Sequence, residues 1–90
     1  MTADELRAAI AADCPHRLID FDRHLAAIPA PTAAFIRLWR IEHAISSQPA
    51  IEAELDRLDR LAADSSDYAT AKDYLEQASR IRHEIAEGLI

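Results

Sequence analysis

Apolar residues recur at spacings of three and four along most of this chain, between short breaks that are rich in proline and serine. This period places side chains on one face of an α-helix, whereas a half-buried strand would need strict alternation. The breaks contain Pro15, Pro29, Pro31 and Pro49, residues that begin helices or end them. The spacing therefore predicts a series of short helices with short connections.

Composition agrees with this prediction. Among 90 residues there is no valine or asparagine and only 1 glycine. Valine and glycine are poorer helix formers than the alanine, leucine, arginine and glutamate that are used here. We predict an all-α fold, a single compact bundle of about five helices that ends in an antiparallel helix hairpin. One domain spans residues 1–90, with helices at about 3–12, 16–28, 33–46, 49–63 and 67–87.

Polar residues at the breaks predict how individual helices begin. Thr2 followed by Glu5 has the spacing of a capping box at the start of the first helix. Thr32 is placed to cap the third helix. Either Ser46 or Ser47 is expected to cap the fourth, because serine oxygens accept hydrogen bonds from free N–H groups at helix starts.

The third predicted helix carries more large apolar side chains than one buried face needs. Phe35, Leu38 and Ile45 form one stripe, and Ile36 with Trp39 forms a second stripe beside it. A central helix that contacts neighbours on two sides explains both stripes. The alternative is that Trp39 and Ile36 contribute to a surface for a partner, since large aromatic side chains dominate interface energetics.

The net charge of −6 is unevenly distributed. Residues 1–45 contain five basic and six acidic residues, and residues 46–90 contain five basic and ten acidic residues. An acidic half repels phosphate backbones, so autonomous nucleic-acid binding is not expected. It suits a basic protein partner, because complementary charge speeds encounter and selects partners. Besides Ile36 and Trp39, four charged residues on the last helix are predicted to bind the partner. They are Glu76, Arg80, Glu84 and Glu87. The i,i+4 spacing on the same helix also predicts Glu76–Arg80 and Arg80–Glu84 ion pairs.

No group of residues is typical of catalysis, and no metal or cofactor is expected. Cys14 and His16 flank Pro15, but a reactive thiolate needs a base that faces it, and nothing orients the histidine. Asp20 and His24 share a helix face without the further ligands of a metal site. One glycine cannot build a phosphate-binding loop. The chain is therefore expected not to be an enzyme.

No apolar run approaches the roughly 20 residues of a membrane span, and no signal peptide precedes the first helix. The single cysteine cannot form an internal disulfide. These features predict a cytoplasmic protein that does not bind membranes.

Four short segments occur in this order: Leu6-Arg7-Ala8-Ala9-Ile10, Pro15-His16-Arg17-Leu18, Phe35-x-x-x-Trp39 and Ile45-x-x-x-Pro49. Together with the acidic helical tail, they resemble a family of small, uncharacterised helical proteins of high-GC bacteria. Members are often encoded beside toxins of the RelE/ParE type, so the resemblance implies an antitoxin-like role. The chain departs from the family pattern in a shorter segment at residues 26–34 and in two serines where many members have Glu-Arg.

Three functions remain open from the sequence. The first is a non-enzymatic interaction protein, antitoxin-like, that covers a basic RelE/ParE-type partner with its acidic C-terminal helices. The second is a self-associating regulatory or scaffolding module, a homodimer with Trp39 and Ile36 in its seam. The third is a small helical enzyme or ligand-binding bundle, which an apolar cavity with convergent polar groups would support.

Overall fold

The computed structural model describes residues 1–89, and this range contains α-helices and turns but no strand. Five α-helices are present, so the predicted all-α fold class is confirmed. Short connections separate them, as the proline and serine breaks predict. The helices are Ala3–Asp13 (α1), Leu18–Ala26 (α2), Ala33–Ser46 (α3), Pro49–Asp64 (α4) and Tyr68–Gly88 (α5).

The second helix is shorter than the predicted 16–28. A 3₁₀ turn at Pro15–Arg17 precedes α2. At the other end, the N–H groups of Ala27 and Ile28 bond to carbonyls three residues back, at 3.1 and 3.4 Å. Such tighter turns are common at helix ends. The prediction was therefore too long at both ends because apolar spacing does not distinguish an α-helical turn from a 3₁₀ turn.

Two of the predicted caps are confirmed. Thr2 Oγ1 accepts a hydrogen bond from the Glu5 N–H at 3.1 Å, and Glu5 Oε1 accepts one from the Thr2 N–H at 3.2 Å. Thr32 Oγ1 accepts from the Phe35 N–H at 3.1 Å. Each cap satisfies backbone donors that the first helical turn leaves without partners.

The predicted serine cap of α4 is wrong. Gln48 occupies the N-cap position without a side-chain hydrogen bond, and Pro49 begins the helix. Ser46 is the last residue of α3 and is 3 % exposed. The Ser47 hydroxyl donates to the Ala44 carbonyl at 3.3 Å. Both serines therefore serve the end of α3 and not the start of α4.

The structure consists of two compact units, an N-terminal unit, Met1–Ser47, and a C-terminal unit that begins at Gln48. The N-terminal unit contains α1, α2 and α3, and α1 contacts both of the other helices. The C-terminal unit contains α4 and α5. The predicted single domain over residues 1–90 stays a prediction, and each unit is described by itself.

The core of the N-terminal unit is built around three aromatic rings. Phe21 is 0 % exposed, and Phe35 and Trp39 are each 4 % exposed. The Phe21 ring meets the Trp39 ring edge-on at 5.3 Å between centroids, an arrangement that aromatic quadrupoles favour. Leu6 and Ile10 of α1 and the Cys14 side chain complete the buried cluster. The four-residue spacing of Leu6 and Ile10 therefore marks the buried face of α1.

The C-terminal unit is the predicted antiparallel hairpin. Residues 65–67 join α4 to α5, and a connection this short makes two helices pack antiparallel. Leu55 and Leu58 of α4 and Ala78 of α5 are buried, at 2 %, 1 % and 1 % exposure. Asp67 caps α5 by accepting the Thr70 N–H at 3.0 Å. Small and medium side chains therefore form the contact between the two helices.

Candidate interaction surfaces

The outward face of α5 is a continuous row of charged side chains. Glu76, Arg80, Glu84 and Glu87 are exposed and lie at spacings of four, four and three. Since a helix repeats every 3.6 residues, they share the side opposite the buried Ala78. The structure thus places the four charged residues predicted from the sequence on one exposed strip.

The ion pairs on this strip differ from those predicted. Glu76 lies 3.8 Å from Lys72, and Glu87 lies 3.0 Å from His83. The sequence predicted that Glu76 would pair with Arg80. Every one of these side chains is more than half exposed, and exposed i,i+4 pairs contribute only about 0.3–0.5 kcal/mol. The carboxylates are therefore weakly held and can exchange partners at little cost.

The rest of the hairpin is also acidic. The charged residues from position 48 onward are ten acidic and five basic, which gives a formal charge of −5. On α4, Arg57 donates to both oxygens of Glu54, at 2.9 and 2.6 Å, and these hydrogen bonds hold the pKa of Glu54 below its usual value. The hydroxyl and N–H of Thr70 likewise lower the pKa of Asp67. Both carboxyl groups are therefore ionised at neutral pH.

Trp39 belongs to the core of the N-terminal unit. Its indole N–H donates to His24 Nδ1 at 2.9 Å, so the hydrogen-bonding group of the ring is satisfied inside the unit. Ile36, which is partly buried, packs against the same cluster. Trp39 and Ile36 therefore lie where the sequence predicted them if α3 is a central helix with neighbours on two sides. At 4 % exposure, Trp39 offers almost no surface to a partner.

A polar network that the sequence did not reveal lies beside Trp39. The Arg17 guanidinium donates to Glu42 Oε2 and to Ser46 Oγ, each at 3.0 Å. It also lies 5.2 Å from the centroid of the Trp39 ring, within cation–π range. The only sequence signal is that Glu42 and Ser46 are one turn apart on α3, facing the same direction as Trp39.

The desolvation of Arg17 lowers its pKa, but the hydrogen bonds and charges of Glu42 and Asp20 together outweigh this effect and leave the pKa above its usual value. Arg17 therefore stays charged in its partly buried position. Arg17 Nε also donates to Asp20 Oδ2 at 3.3 Å, so three acceptors and an aromatic ring surround the guanidinium. All of these partners lie within the N-terminal unit, and we therefore interpret the network as structural. The network joins the 3₁₀ turn to the end of α3.

The predicted Phe35–Leu38–Ile45 stripe is wrong at one position. Leu38 is 43 % exposed, while Trp39 takes the buried place one turn after Phe35. Viewed down the helix axis, Leu38 lies to one side of Phe35 and Trp39 lies to the other, because a helix repeats every 3.6 residues. The core takes in the side that carries the larger Trp39 ring. The surplus apolar surface of α3 is therefore at Leu38 and not at Trp39.

Two shallow grooves meet at Leu38. They share Leu38 and Ala34, and their volumes are about 380 and 360 Å³. The larger groove is lined by Ala33, Ala34, Arg37, Leu38 and Ile41. The smaller is lined by His24, Ile28, Pro29, Ala30, Thr32, Ala34, Phe35 and Leu38. Together they form a mainly apolar surface on the N-terminal unit, with Arg37 as its charged side chain.

Within residues 1–89, no three His, Cys, Asp or Glu side chains come together in a way that could hold a metal ion. In the same range, every helix is too short or too polar to cross a bilayer. Cys14 is 1 % exposed and packs in the N-terminal core. The cysteine that the sequence singled out is therefore shielded from solvent.

Comparison of the chain with protein-family models, curated proteins and solved structures finds no match. The resemblance to small helical proteins encoded beside RelE/ParE-type toxins therefore stays a prediction. The function has to be argued from the two surfaces described above, the charged strip of α5 and the apolar surface at Leu38.

Proposed function

We propose that this chain is a non-enzymatic interaction protein of antitoxin-like type. It acts in the cytoplasm and neutralises a basic protein partner with the acidic C-terminal hairpin. The observation that carries the proposal is the exposed strip of α5, where Glu76, Glu84 and Glu87 share one face. The same unit has a formal charge of −5.

Electrostatics supports a basic partner in two ways. Carboxylates that are exposed and only weakly paired can be desolvated against arginine or lysine at lower cost than groups locked in buried networks. An acidic field around the hairpin also raises the rate at which a basic protein is encountered. RelE/ParE-type toxins, which the sequence resemblance suggests, are basic proteins that such a surface suits.

The test begins with purification of the tagged chain from its host and identification of any protein that copurifies in stoichiometric amount. A captured small basic protein is then expressed with and without this chain. We expect it to arrest growth alone and to be neutralised by coexpression. Capture of acidic proteins only, or a basic protein that the chain does not neutralise, would contradict the proposal.

Charge variants of α5 test the surface itself. Combined Glu76→Lys, Glu84→Lys and Glu87→Lys changes should weaken binding of the partner at least tenfold, mainly through slower association, which electrostatic steering controls. Arg80→Glu is the matched control on the same strip, and it should leave binding unchanged or strengthen it. Circular dichroism checks that helix content is retained. Equal weakening by both variants would show that the charge of the strip is not what the partner recognises.

A further inference from the structure

His24 carries no proton on Nδ1, because this nitrogen accepts a hydrogen bond from the Trp39 indole. The indole Nε1 can only donate, and it lies 2.9 Å from His24 Nδ1. An imidazole that accepts at Nδ1 carries its one proton on Nε2 and is uncharged. The folded N-terminal unit therefore holds His24 as the neutral tautomer.

The surroundings of this contact make the acceptor hard to replace. The imidazole of His24 lies edge-on to the Phe35 ring at 5.0 Å between centroids, and 6.2 Å from the Trp39 ring. Trp39 is 4 % exposed, so little water reaches its side chain. A buried donor that loses its partner costs more free energy than the hydrogen bond itself contributed. The neutral form of His24 is thus tied to the packing of α2 on α3.

The charged groups on the side of α2 that carries His24 are already paired with each other. Arg17 of the 3₁₀ turn places its guanidinium 5.2 Å from the centroid of the Trp39 ring, and this charge disfavours a second cation at the same ring. Asp20, one turn before His24 on α2, would favour a cation, but its carboxylate pairs with Arg17 at 3.3 Å. Glu42 of α3 also binds Arg17, at 3.0 Å. Both carboxylates therefore face a cation that is already present.

The other charged side chains of α2 point elsewhere. Asp22 pairs with Arg7 of α1 at 2.8 Å, and residues two positions apart on a helix point in nearly opposite directions. Arg23 is exposed. His24 lines the smaller groove at Leu38, and of the residues that the structure describes, no other that lines this groove is charged. The contact of His24 with α3 is therefore apolar apart from the indole hydrogen bond.

We infer that His24 is a proton-sensitive switch in the core of the N-terminal unit. A proton added at Nδ1 turns this nitrogen from an acceptor into a donor, so the Trp39 indole loses its partner and a second cation appears beside the ring that Arg17 contacts. The contact between α2 and α3 then loosens in mildly acidic solution. The unfolded chain accepts the same proton without this loss, so through His24 the stability of the unit rises with pH across the histidine range. The inference does not rest on the proposed function, since it is tested with the protein alone.

His43 responds to acid in the opposite sense. Its Nε2 lies 2.8 Å from Asp13 Oδ2, and protonation makes this contact an ion pair between α3 and α1. As the pH falls, α3 therefore holds α1 more firmly and α2 less firmly. Because the two effects oppose each other in the total stability of the unit, the test needs a signal that is local to the indole.

The experiment follows the Trp39 indole N–H by NMR, since the chain contains 1 tryptophan and gives one indole signal. Its protection is the rate of hydrogen exchange with solvent relative to free indole at the same pH, measured from about pH 8 to about pH 5, which spans the titration of histidine. We expect the wild-type protein to lose protection about tenfold or more, the scale of one hydrogen bond that leaves its donor unpaired. The ring nitrogen signals of His24 should change with the same midpoint.

His24→Asn is the matched variant, because its side-chain oxygen accepts a hydrogen bond in place of Nδ1 and does not titrate. It should keep the indole protected across the whole pH range. His24→Leu has no acceptor and should leave the indole less protected at both ends of the range. His83→Asn is the control on α5, where His83 is exposed, and it should titrate like the wild-type protein.

Three results would overturn the inference. The first is a wild-type indole whose protection stays constant over the pH range. The second is an equal loss of protection in His24→Asn, which would assign the response to another group such as His43. The third is full protection in His24→Leu, which would show that the hydrogen bond does not shield the indole. The wild-type measurement needs no substitution, so it decides the question even if circular dichroism shows that a variant is unfolded.

Discussion

The two units of this protein bury different kinds of side chain. The N-terminal unit encloses a cluster of three aromatic rings, Phe21, Phe35 and Trp39, drawn from α2 and α3. The C-terminal unit packs Leu55 and Leu58 against α5, where the buried residue is Ala78. Aromatic rings bury more area for each residue than alanine, and their edge-to-face contacts are directional. The N-terminal unit should therefore depend more strongly on single core residues.

The two units also differ in whether their charged contacts link different helices or stay within one helix. In the N-terminal unit, most contacts between charged or histidine side chains join separate helical segments, with Arg17–Asp20 as a local pair. In the C-terminal unit, such contacts are mostly local to one helix. The first group comprises Arg7–Asp22, Arg17–Glu42 and Asp13–His43. The second comprises Glu54–Arg57, Lys72–Glu76 and His83–Glu87, with Asp59–Arg82 between α4 and α5. The N-terminal fold is thus fixed by contacts between distant residues, and the hairpin keeps more of its charge exposed at its surface.

The largest expected effect is the loss of a core side chain. Phe21→Ala should destabilise the N-terminal unit by about 3–5 kcal/mol, because it removes a ring that is 0 % exposed and leaves a cavity. The chain contains 1 tryptophan, Trp39, which reports on this unit alone, so its fluorescence in a urea titration measures the change.

Leu58→Ala is the matched variant in the C-terminal unit, with an expected cost of about 2–5 kcal/mol. Both tyrosines, Tyr68 and Tyr74, belong to that unit, and their ring signals in NMR spectra report on it. We expect Phe21→Ala to move the tryptophan transition and Leu58→Ala to move the tyrosine transition. If each variant moves both transitions equally, the comparison between the units fails, because they would then unfold as one.

The same difference explains what the sequence could predict. In the hairpin, Leu55 and Leu58 follow the helical period and their connection is short, so local pattern is sufficient to predict the fold. In the N-terminal unit, the period on α3 could not decide whether Leu38 or Trp39 enters the core. That choice depends on the rings of Phe21 and Phe35, which only packing brings together.

The candidate surfaces show the same limit. The charged strip of α5 follows from helical spacing and was predicted, including Glu76, Glu84 and Glu87. The Leu38 surface was missed, because Leu38 is exposed only as a result of Trp39 occupying the buried position. The Arg17 network was missed as well, since a residue 25 positions from Glu42 gives no local signal.

A smaller effect is expected from removing Arg17. Arg17→Leu should cost about 1.5–3 kcal/mol, the range for hydrogen bonds to charged groups, because it leaves Glu42 and Ser46 without this donor. Urea unfolding followed by Trp39 fluorescence measures the cost, and the emission should also shift as the cation leaves the ring. Arg23→Leu, at an exposed position of α2, is the control and should change stability by less than about 0.5 kcal/mol. Equal effects of the two variants would show that the network does not stabilise the unit.

The smallest effect concerns acid stability and compares one exposed pair from each unit. Arg7 donates to both oxygens of Asp22 at 2.8 Å and thereby lowers the pKa of Asp22, as Arg57 does for Glu54. A carboxyl group whose pKa is lower in the folded state contributes stability above its unfolded pKa, about 3.9 for Asp and 4.3 for Glu. This contribution is lost as the pH falls through the lower folded pKa.

Asp22→Asn should therefore destabilise the N-terminal unit slightly at pH 7, and the difference from wild type should vanish in acid. Glu54→Gln should do the same in the C-terminal unit. Urea titrations at several pH values, followed by the tryptophan for one unit and the tyrosines for the other, separate the two effects. Since Asp22 joins α1 to α2 while Glu54 pairs within α4, only the Asn variant should also disturb the packing between two helices. A response of the tyrosine signals to Asp22→Asn would contradict the assignment of this pair to the N-terminal unit alone.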